Sequence, residues 1–124
     1  GCALPAQVQR ASTLAWSDEN HVIANRRSYR EKFASITPLL SQVFAVADPD
    51  SGFYHWVDVG EDDQTFALDA FRDINITVLP GSFISRDAGG INPGAGHIRV
   101  AWVAELEHCL EAATRLAEWA ATRS

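Results

Sequence analysis

The chain contains no methionine, a single lysine (Lys32) and only two cysteines, Cys2 and Cys109. A chain that opens at Gly1 without an initiator is expected to be processed or cut from something longer, and a piece of a longer polypeptide is the preferred expectation. Two cysteines near opposite ends, with no CxxC pair and no histidine at ligand spacing, do not make a structural zinc site. They are expected to be free thiols of a reducing compartment, a disulfide being the alternative. No apolar run approaches the roughly 18 residues of a membrane span, and no basic segment followed by an apolar one marks a signal peptide. A cytoplasmic protein without a membrane partner is therefore expected. Positive charge is scarce too: 10 Lys and Arg face 16 Asp and Glu, for a net charge of −6, and the cations are scattered. That excludes the basic patch with which nucleic-acid binders replace condensed counterions.

What is present describes a globular domain. Hydrophobic residues make up 47% of the 124 positions and four are Trp, enough for a core, and the length suits one domain over 1–124. Leu4 to Trp16 has helical spacing with Pro5 in the first turn, and Ser17-Asp18-Glu19-Asn20 reads as a break and a new N-cap. From there to about Gln42, a stripe of Val22, Tyr29, Phe33, Ile36, Leu40 and Val43 predicts a long amphipathic helix. Its solvated face carries Asn25, Arg26, Arg27, Arg30, Glu31 and Lys32, and Pro38 suggests a kink or an early end near Thr37. Val43 to Ala47 and Phe53 to Val59, separated by Asp48-Pro49-Asp50-Ser51-Gly52, predict an antiparallel hairpin. A helix over Glu61 to Ile74, strands over Asn75 to Leu79 and His97 to Val103, and a closing helix from Glu105 to Ala121 complete the order. The fold class expected is α+β, a small mainly antiparallel sheet of about four strands packed with helices.

The segment Leu79 to Ala104, LPGSFISRDAGGINPGAGHIRVAWVA, concentrates the functional signal. Arg99 stands on an apolar strand between Ile98 and Val100, where a cation is costly to bury unless an anion meets it. A ligand carboxylate is one such anion; a structural acid, Asp58 or Glu105, is another. The Gly- and Pro-rich loop Gly81 to Gly96 that precedes the strand permits close approach to a ligand.

The order of GFYHWVDV, a helix, ITVLPG and IRVAWV resembles the C-terminal small domain of class I/II, fold-type I pyridoxal-phosphate aminotransferases over nearly the whole chain. Within that family, GCALPAQVQRAS, HVIANRRSYREKF and GGINPGAGHIRVAWVA look like the succinyldiaminopimelate aminotransferases of lysine and diaminopimelate biosynthesis. The resemblance implies transfer of an amino group between N-succinyl-LL-2,6-diaminopimelate and 2-oxoglutarate by the intact parent, a homodimer carrying pyridoxal 5'-phosphate. It implies that Arg99 grips the substrate α-carboxylate, a task suited to the planar fork of a guanidinium. Ser82, Ser85, Arg86 and Asn92 are candidates to contact a long, doubly acidic substrate, the alternative for Arg86 being a solvated loop residue. Tyr54 is a candidate at a hairpin position where the family often places an aromatic, an ordinary sheet residue being the alternative.

The same resemblance defines what the chain lacks. Lys32 lies outside the family's lysine motif, so no Schiff-base lysine is present, no covalently held cofactor is expected, and the catalytic set contains no residue of this chain. The large domain of the same polypeptide is expected to supply those groups, leaving the chain inactive alone. Alternatives are another class I/II aminotransferase, acting on aspartate or an aromatic amino acid, a non-catalytic module binding a small acidic metabolite, and a purely structural interaction domain. His21, His55, His97 and His108 show no i, i+4 pair, and Ser82 and Ser85 lack a nucleophile-elbow context, so neither a metal site nor a hydrolytic triad is supported.

Overall fold

The computed structural model describes residues 3–123, so the expectation for Cys2 lies outside the described residues. The chain divides after Glu31 into two compact units.

In residues 1–31, α1 (Ala6–Ser17) starts directly after Pro5, whose carbonyl accepts the Gln9 N–H at 3.0 Å. Proline suits this position because the first N–H groups of a helix have no intrahelical acceptor. Asp18 then breaks the ladder by accepting the Asn20 N–H at 3.0 Å, and α2 (Asn20–Leu40) begins. No residue of α1 is buried; Leu14 and Trp16 are 67% and 85% exposed.

Residues 32–124 hold the remainder of α2, β1 (Tyr54–Asp58), α3 (Asp63–Ile74), β2 (Leu79–Pro80), a single turn α4 (Gly81–Ile84), β3 (His97–Ala101) and α5 (Leu106–Ala121). The α+β class is as expected, but the sheet has three strands, in the order β1-β3-β2, all antiparallel. The strand expected over Val43 to Ala47 is absent. Val43 and Phe44 both donate to the Leu40 carbonyl in a turn that closes α2, and Phe44 packs edge-on against Phe66 at 6.1 Å. That contact holds the segment against α3, so the expected hairpin does not form and β1 is an edge strand. Asn75 adopts a left-handed conformation (φ 52°) as the C-cap of α3, and only Leu79 and Pro80 of the next segment pair with β3. Pro38 is accommodated inside α2, because the one bond it removes belongs to the carbonyl of exposed Ala34 near the helix end.

One face of the sheet presents His55, Val57, Ile98 and Val100, all buried, to a core that includes Ile36, Leu40, Phe66, Ala113 and Leu116. Lys32 also belongs to this core, contrary to the solvated position expected: it is 7% exposed. Its Nζ donates to the carbonyls of Trp102 (2.9 Å), Val103 (3.5 Å) and Ala104 (2.6 Å). The three carbonyls lie just beyond β3, where no strand partner uses them. Cys109, a buried free thiol, donates to the same Ala104 oxygen at 3.2 Å, and burial pushes its pKa up.

His55 fastens the sheet to α2. Its Nδ1 accepts from Trp102 Nε1 at 2.7 Å, which places the ring proton on Nε2, 3.0 Å from Thr37 Oγ1; the Thr37 hydroxyl in turn donates to Asp48. A second ring proton would face the Trp102 N–H. Burial lowers the His55 pKa below the ordinary 6.5, against a smaller opposing effect of Asp48. The unfolded chain therefore binds the proton first as pH falls. Stability is complete above about pH 6.5 and is lost as pH drops through the folded value, by at most about 1.4 kcal/mol per pH unit. Thermal unfolding between pH 7.5 and 5 is expected to show this loss in the native protein and a flatter profile in His55→Gln. Equal slopes would remove His55 as its source.

Candidate functional site

The face of the sheet turned away from the core carries Tyr54, Trp56 and Asp58 from β1, Leu79 from β2, and His97, Arg99 and Ala101 from β3, as the alternation of side chains requires. Arg99 is at its centre, on the middle strand, directly opposite Trp56 on one side and Leu79 on the other. Its Nε is buried without a hydrogen-bond partner, and among the described residues no carboxylate forms an ion pair with it. Neither Asp58 nor Glu105, the structural acids considered from sequence, is its partner. Asp58 accepts the Gly60 N–H at 2.9 Å instead. Among the described residues the Tyr54 ring addresses the cation, its centroid 5.6 Å from Cζ.

Aromatic side chains surround the arginine. Trp56, 39% exposed, stacks on His97 with centroids 5.7 Å apart and planes 17° from parallel. The His97 Nδ1 is 3.0 Å from the Ala95 carbonyl, so the ring is held from both sides. Tyr54 meets Phe53 edge-on at 5.5 Å. Trp56 was not singled out from the sequence: its alternation with Tyr54 put it on the right face, but only the strand register sets it opposite Arg99.

The loop from Gly81 to Gly96 borders this face and is more ordered than its composition suggests. It opens with α4, and its two ends are pressed together. A Cβ on Gly81 would stand 2.8 Å from both the His97 carbonyl oxygen and Trp56 Cη2, and one on Gly94 would overlap the Gly81 carbonyl and Ser85 Oγ. Glycine is required at both positions by this backbone-on-backbone approach. Ser82 and Asn92 are engaged within the loop. Asn92 Nδ2 donates to the Ser82 carbonyl at 3.1 Å, its Oδ1 accepts from Gly94 N–H at 2.9 Å, and Ser82 Oγ accepts from Gln64 at 3.2 Å. Ser85 closes α4, its N–H donating to the Gly81 carbonyl at 3.1 Å. Arg86 is exposed and makes no ion pair among the described residues.

Asp63, which the sequence did not single out, spans the base of the loop. It is 2% exposed, and its two carboxylate oxygens accept the N–H of Ser82 (2.9 Å) and the N–H of Gly96 (3.1 Å). Burial alone raises its pKa, but the hydrogen bonds from Ser82 and Gly96 outweigh that and hold the carboxyl below the ordinary range.

A cleft of about 740 Å³ lies elsewhere, lined by Phe44, Asp58, Gly60, Glu61, Phe66 and Arg123 among others. Its cation is already spent: Arg123 makes a two-pronged pair with Glu61 at 3.0 and 2.8 Å, a third bond to Asp69 at 3.0 Å, and stacks 4.6 Å from the Trp119 ring. Arg99 differs from Arg123 in having no carboxylate partner among the described residues. Among the described residues no three His, Cys, Asp or Glu are grouped to hold a metal, and no helix is long and apolar enough to cross a membrane.

Comparison with known proteins agrees with this architecture. No protein-family model matches the chain. A Mycobacterium tuberculosis protein named as a probable aminotransferase is 34% identical over 117 residues, 94% of this chain and 26% of the relative. The crystal structure of an aminotransferase from Neisseria meningitidis superposes with a TM-score of 0.87 at 47% identity, covering 96% of this chain and 30% of that one. A structure from Thermus thermophilus, named as a probable N-succinyldiaminopimelate aminotransferase, gives a TM-score of 0.67 at 30% identity, over 82% of this chain and 26% of that one. The chain therefore spans between a quarter and a third of the length of these relatives, and its fold is that of the aminotransferase small domain.

Proposed function

We propose that this chain is the small domain of a pyridoxal-phosphate aminotransferase and that Arg99 receives the α-carboxylate of its amino-acid substrate. The observation that carries this reading is the arginine itself: central on the sheet, with a buried, unpartnered Nε and no carboxylate of its own. A guanidinium in that state is an anion site in waiting, and its fork fixes the plane of the carboxylate that fills it. Tyr54 and Trp56 wall the site, and Arg86, exposed on the bordering loop, is the candidate for a second, distal carboxylate. Relatives named as aminotransferases at 34% and 47% identity support the reaction class.

Covalent attachment of the cofactor is assigned to the rest of the parent polypeptide. The single lysine is committed to three backbone carbonyls, so it is not available to bind pyridoxal phosphate covalently. Holding the cofactor falls to the remaining seven tenths or so of a polypeptide of the relatives' size, the large domain. The finer proposal is that the parent is a cytoplasmic homodimer and transfers an amino group between N-succinyl-LL-2,6-diaminopimelate and 2-oxoglutarate. The Thermus thermophilus relative, whose name carries that substrate, supports it.

The test is an assay of the full-length protein with pyridoxal phosphate, 2-oxoglutarate and three donors: the succinylated diamino acid, aspartate and phenylalanine. Glutamate formation fastest with the first is expected. Preference for aspartate or phenylalanine reassigns the substrate within the class, and no transfer from any amino acid overturns the class.

A further inference from the structure

We propose that Asp63 is a positioning residue for ligand binding: one buried carboxylate ties together the start and the end of the loop that borders Arg99 and so holds that loop in its binding shape. The inference rests on the reading of Arg99 given above.

Asp63 is the first residue of α3, an element packed under the sheet, yet both of its oxygens are used outside that helix. One receives the N–H of Ser82 at 2.9 Å and the other that of Gly96 at 3.1 Å, positions separated in sequence by the whole of the loop. No cation pairs with it among the described residues, so hydrogen bonds from the two ends of the loop, the Ser82 hydroxyl and the N–H groups of Ser82 and Gly96, are what stabilises the buried charge. The dependence is mutual. Without the carboxylate, two N–H groups at the loop base lose their acceptor; without the loop in place, a buried carboxylate loses its donors. Such a pairing has one satisfied arrangement, and every displaced arrangement leaves buried polar groups unmet.

The satisfied arrangement is the one that shapes the site. Gly81 and Gly94 meet backbone to backbone only when the two ends are drawn together, and Gly81 then stands against the tip of Trp56, the cross-strand neighbour of Arg99. Gly96 directly precedes His97, the ring stacked on Trp56. Asp63 thus bears on the stacked pair of Trp56 and His97 without touching ligand itself. Its neighbour Asp62 performs the local task of capping α3, accepting the Thr65 N–H at 2.8 Å, which leaves Asp63 free for this longer reach.

Asp63→Asn converts one acceptor oxygen into an NH₂ group that opposes a backbone N–H, with almost no change of shape. In the full-length protein this variant is expected to raise KM for the amino-acid donor tenfold or more while kcat changes less than threefold, because a loosened loop must be reordered by each ligand at the expense of binding. Trypsin offers a reading independent of substrate, since Arg86 is exposed inside the loop: cleavage after Arg86 is expected to accelerate at least tenfold in Asp63→Asn. Asp62→Ala, which weakens the same helix without touching the loop, should leave both KM and that cleavage unchanged. In the unaltered protein the amides of Ser82 and Gly96 should exchange with solvent at least tenfold more slowly than those of Gly89 and Gly90, a measurement that stands even if the variant fails to fold. Unchanged cleavage at Arg86, unchanged KM in Asp63→Asn, or fast exchange at Ser82 and Gly96 would each overturn the clamp. Arg99→Ala, assayed alongside, separates the two ideas: if it leaves KM intact while Asp63→Asn loosens the loop, the carboxylate reading has failed rather than the clamp.

Discussion

Replacing Arg99 by alanine in the full-length protein is expected to lower kcat/KM for the amino-acid donor by two to three orders of magnitude while leaving the folded state nearly as stable as before. The size follows from removing one partner of a desolvated, hydrogen-bonded charge pair, which costs about 2–5 kcal/mol of interaction, at roughly tenfold per 1.4 kcal/mol. The stability half follows from the state of the unliganded side chain. Among the described residues Arg99 has no ion pair to lose, its Nε is a buried donor without an acceptor, and the Tyr54 ring at 5.6 Å is what addresses its charge. Losing that ring contact costs about 0.5–1 kcal/mol, and relief of the unmet donor offsets part of it. Arg99→Lys keeps the charge but not the two-pronged geometry, so partial recovery is expected. Steady-state kinetics paired with chemical denaturation checks both halves. A variant that unfolds early but, where folded, turns over normally would assign Arg99 to structure alone.

The largest effect on stability is expected at Lys32. Substituting methionine preserves the length and apolar stem of the side chain and removes the ammonium, leaving the carbonyls of Trp102, Val103 and Ala104 without their shared donor. An orphaned buried polar group costs about 1–3 kcal/mol, and the Ala104 oxygen keeps a weak donor in Cys109, so a loss of about 3–5 kcal/mol is expected overall. Lys32→Arg should not restore it, because a planar fork cannot converge on three carbonyls as a tetrahedral ammonium does. Equilibrium denaturation gives the number directly. A change below about 1 kcal/mol would mean that water replaces the ammonium and that the segment after β3 is not closed by it.

Lys32 also shows where reading a sequence by charge goes astray. Its position was legible: Lys32, Ile36 and Leu40 follow one another at i, i+4 spacing and share the buried side of α2. The charge argued for solvent and overrode the spacing. What made burial tolerable was a set of three carbonyls some 70 residues away, and no local pattern announces those. The expected hairpin failed for a similar reason. Val43 to Ala47 has the composition of a strand, but a strand exists only where an edge accepts it, and Phe44 finds Phe66 instead.

At the site the division is just as clear. Arg99 stood out because a cation on an apolar strand is rare and costly, and the Gly- and Pro-rich loop because its composition permits close approach. Ser82 and Asn92, attractive as polar loop residues, spend their hydrogen bonds within the loop, on Gln64 and on Asp63, which only the fold reveals. Trp56 and Asp63 were invisible for complementary reasons. One depends on cross-strand register, the other on two N–H groups contributed by distant ends of a loop.

By itself the sequence determined the elements whose stabilisation is local or periodic: α1, α2, α3 and α5, the strands around Tyr54–Asp58 and His97–Ala101, and the oddity of Arg99. Side-chain periodicity and capping act within a few residues and survive in one dimension. The tertiary structure decided everything that depends on a partner far along the chain: three strands instead of four, the burial of Lys32, the Trp56 and His97 wall, and the Asp63 tie across the loop. It also decided the state of Arg99, because whether a charged side chain is paired is a property of the space around it, and that space is assembled only on folding.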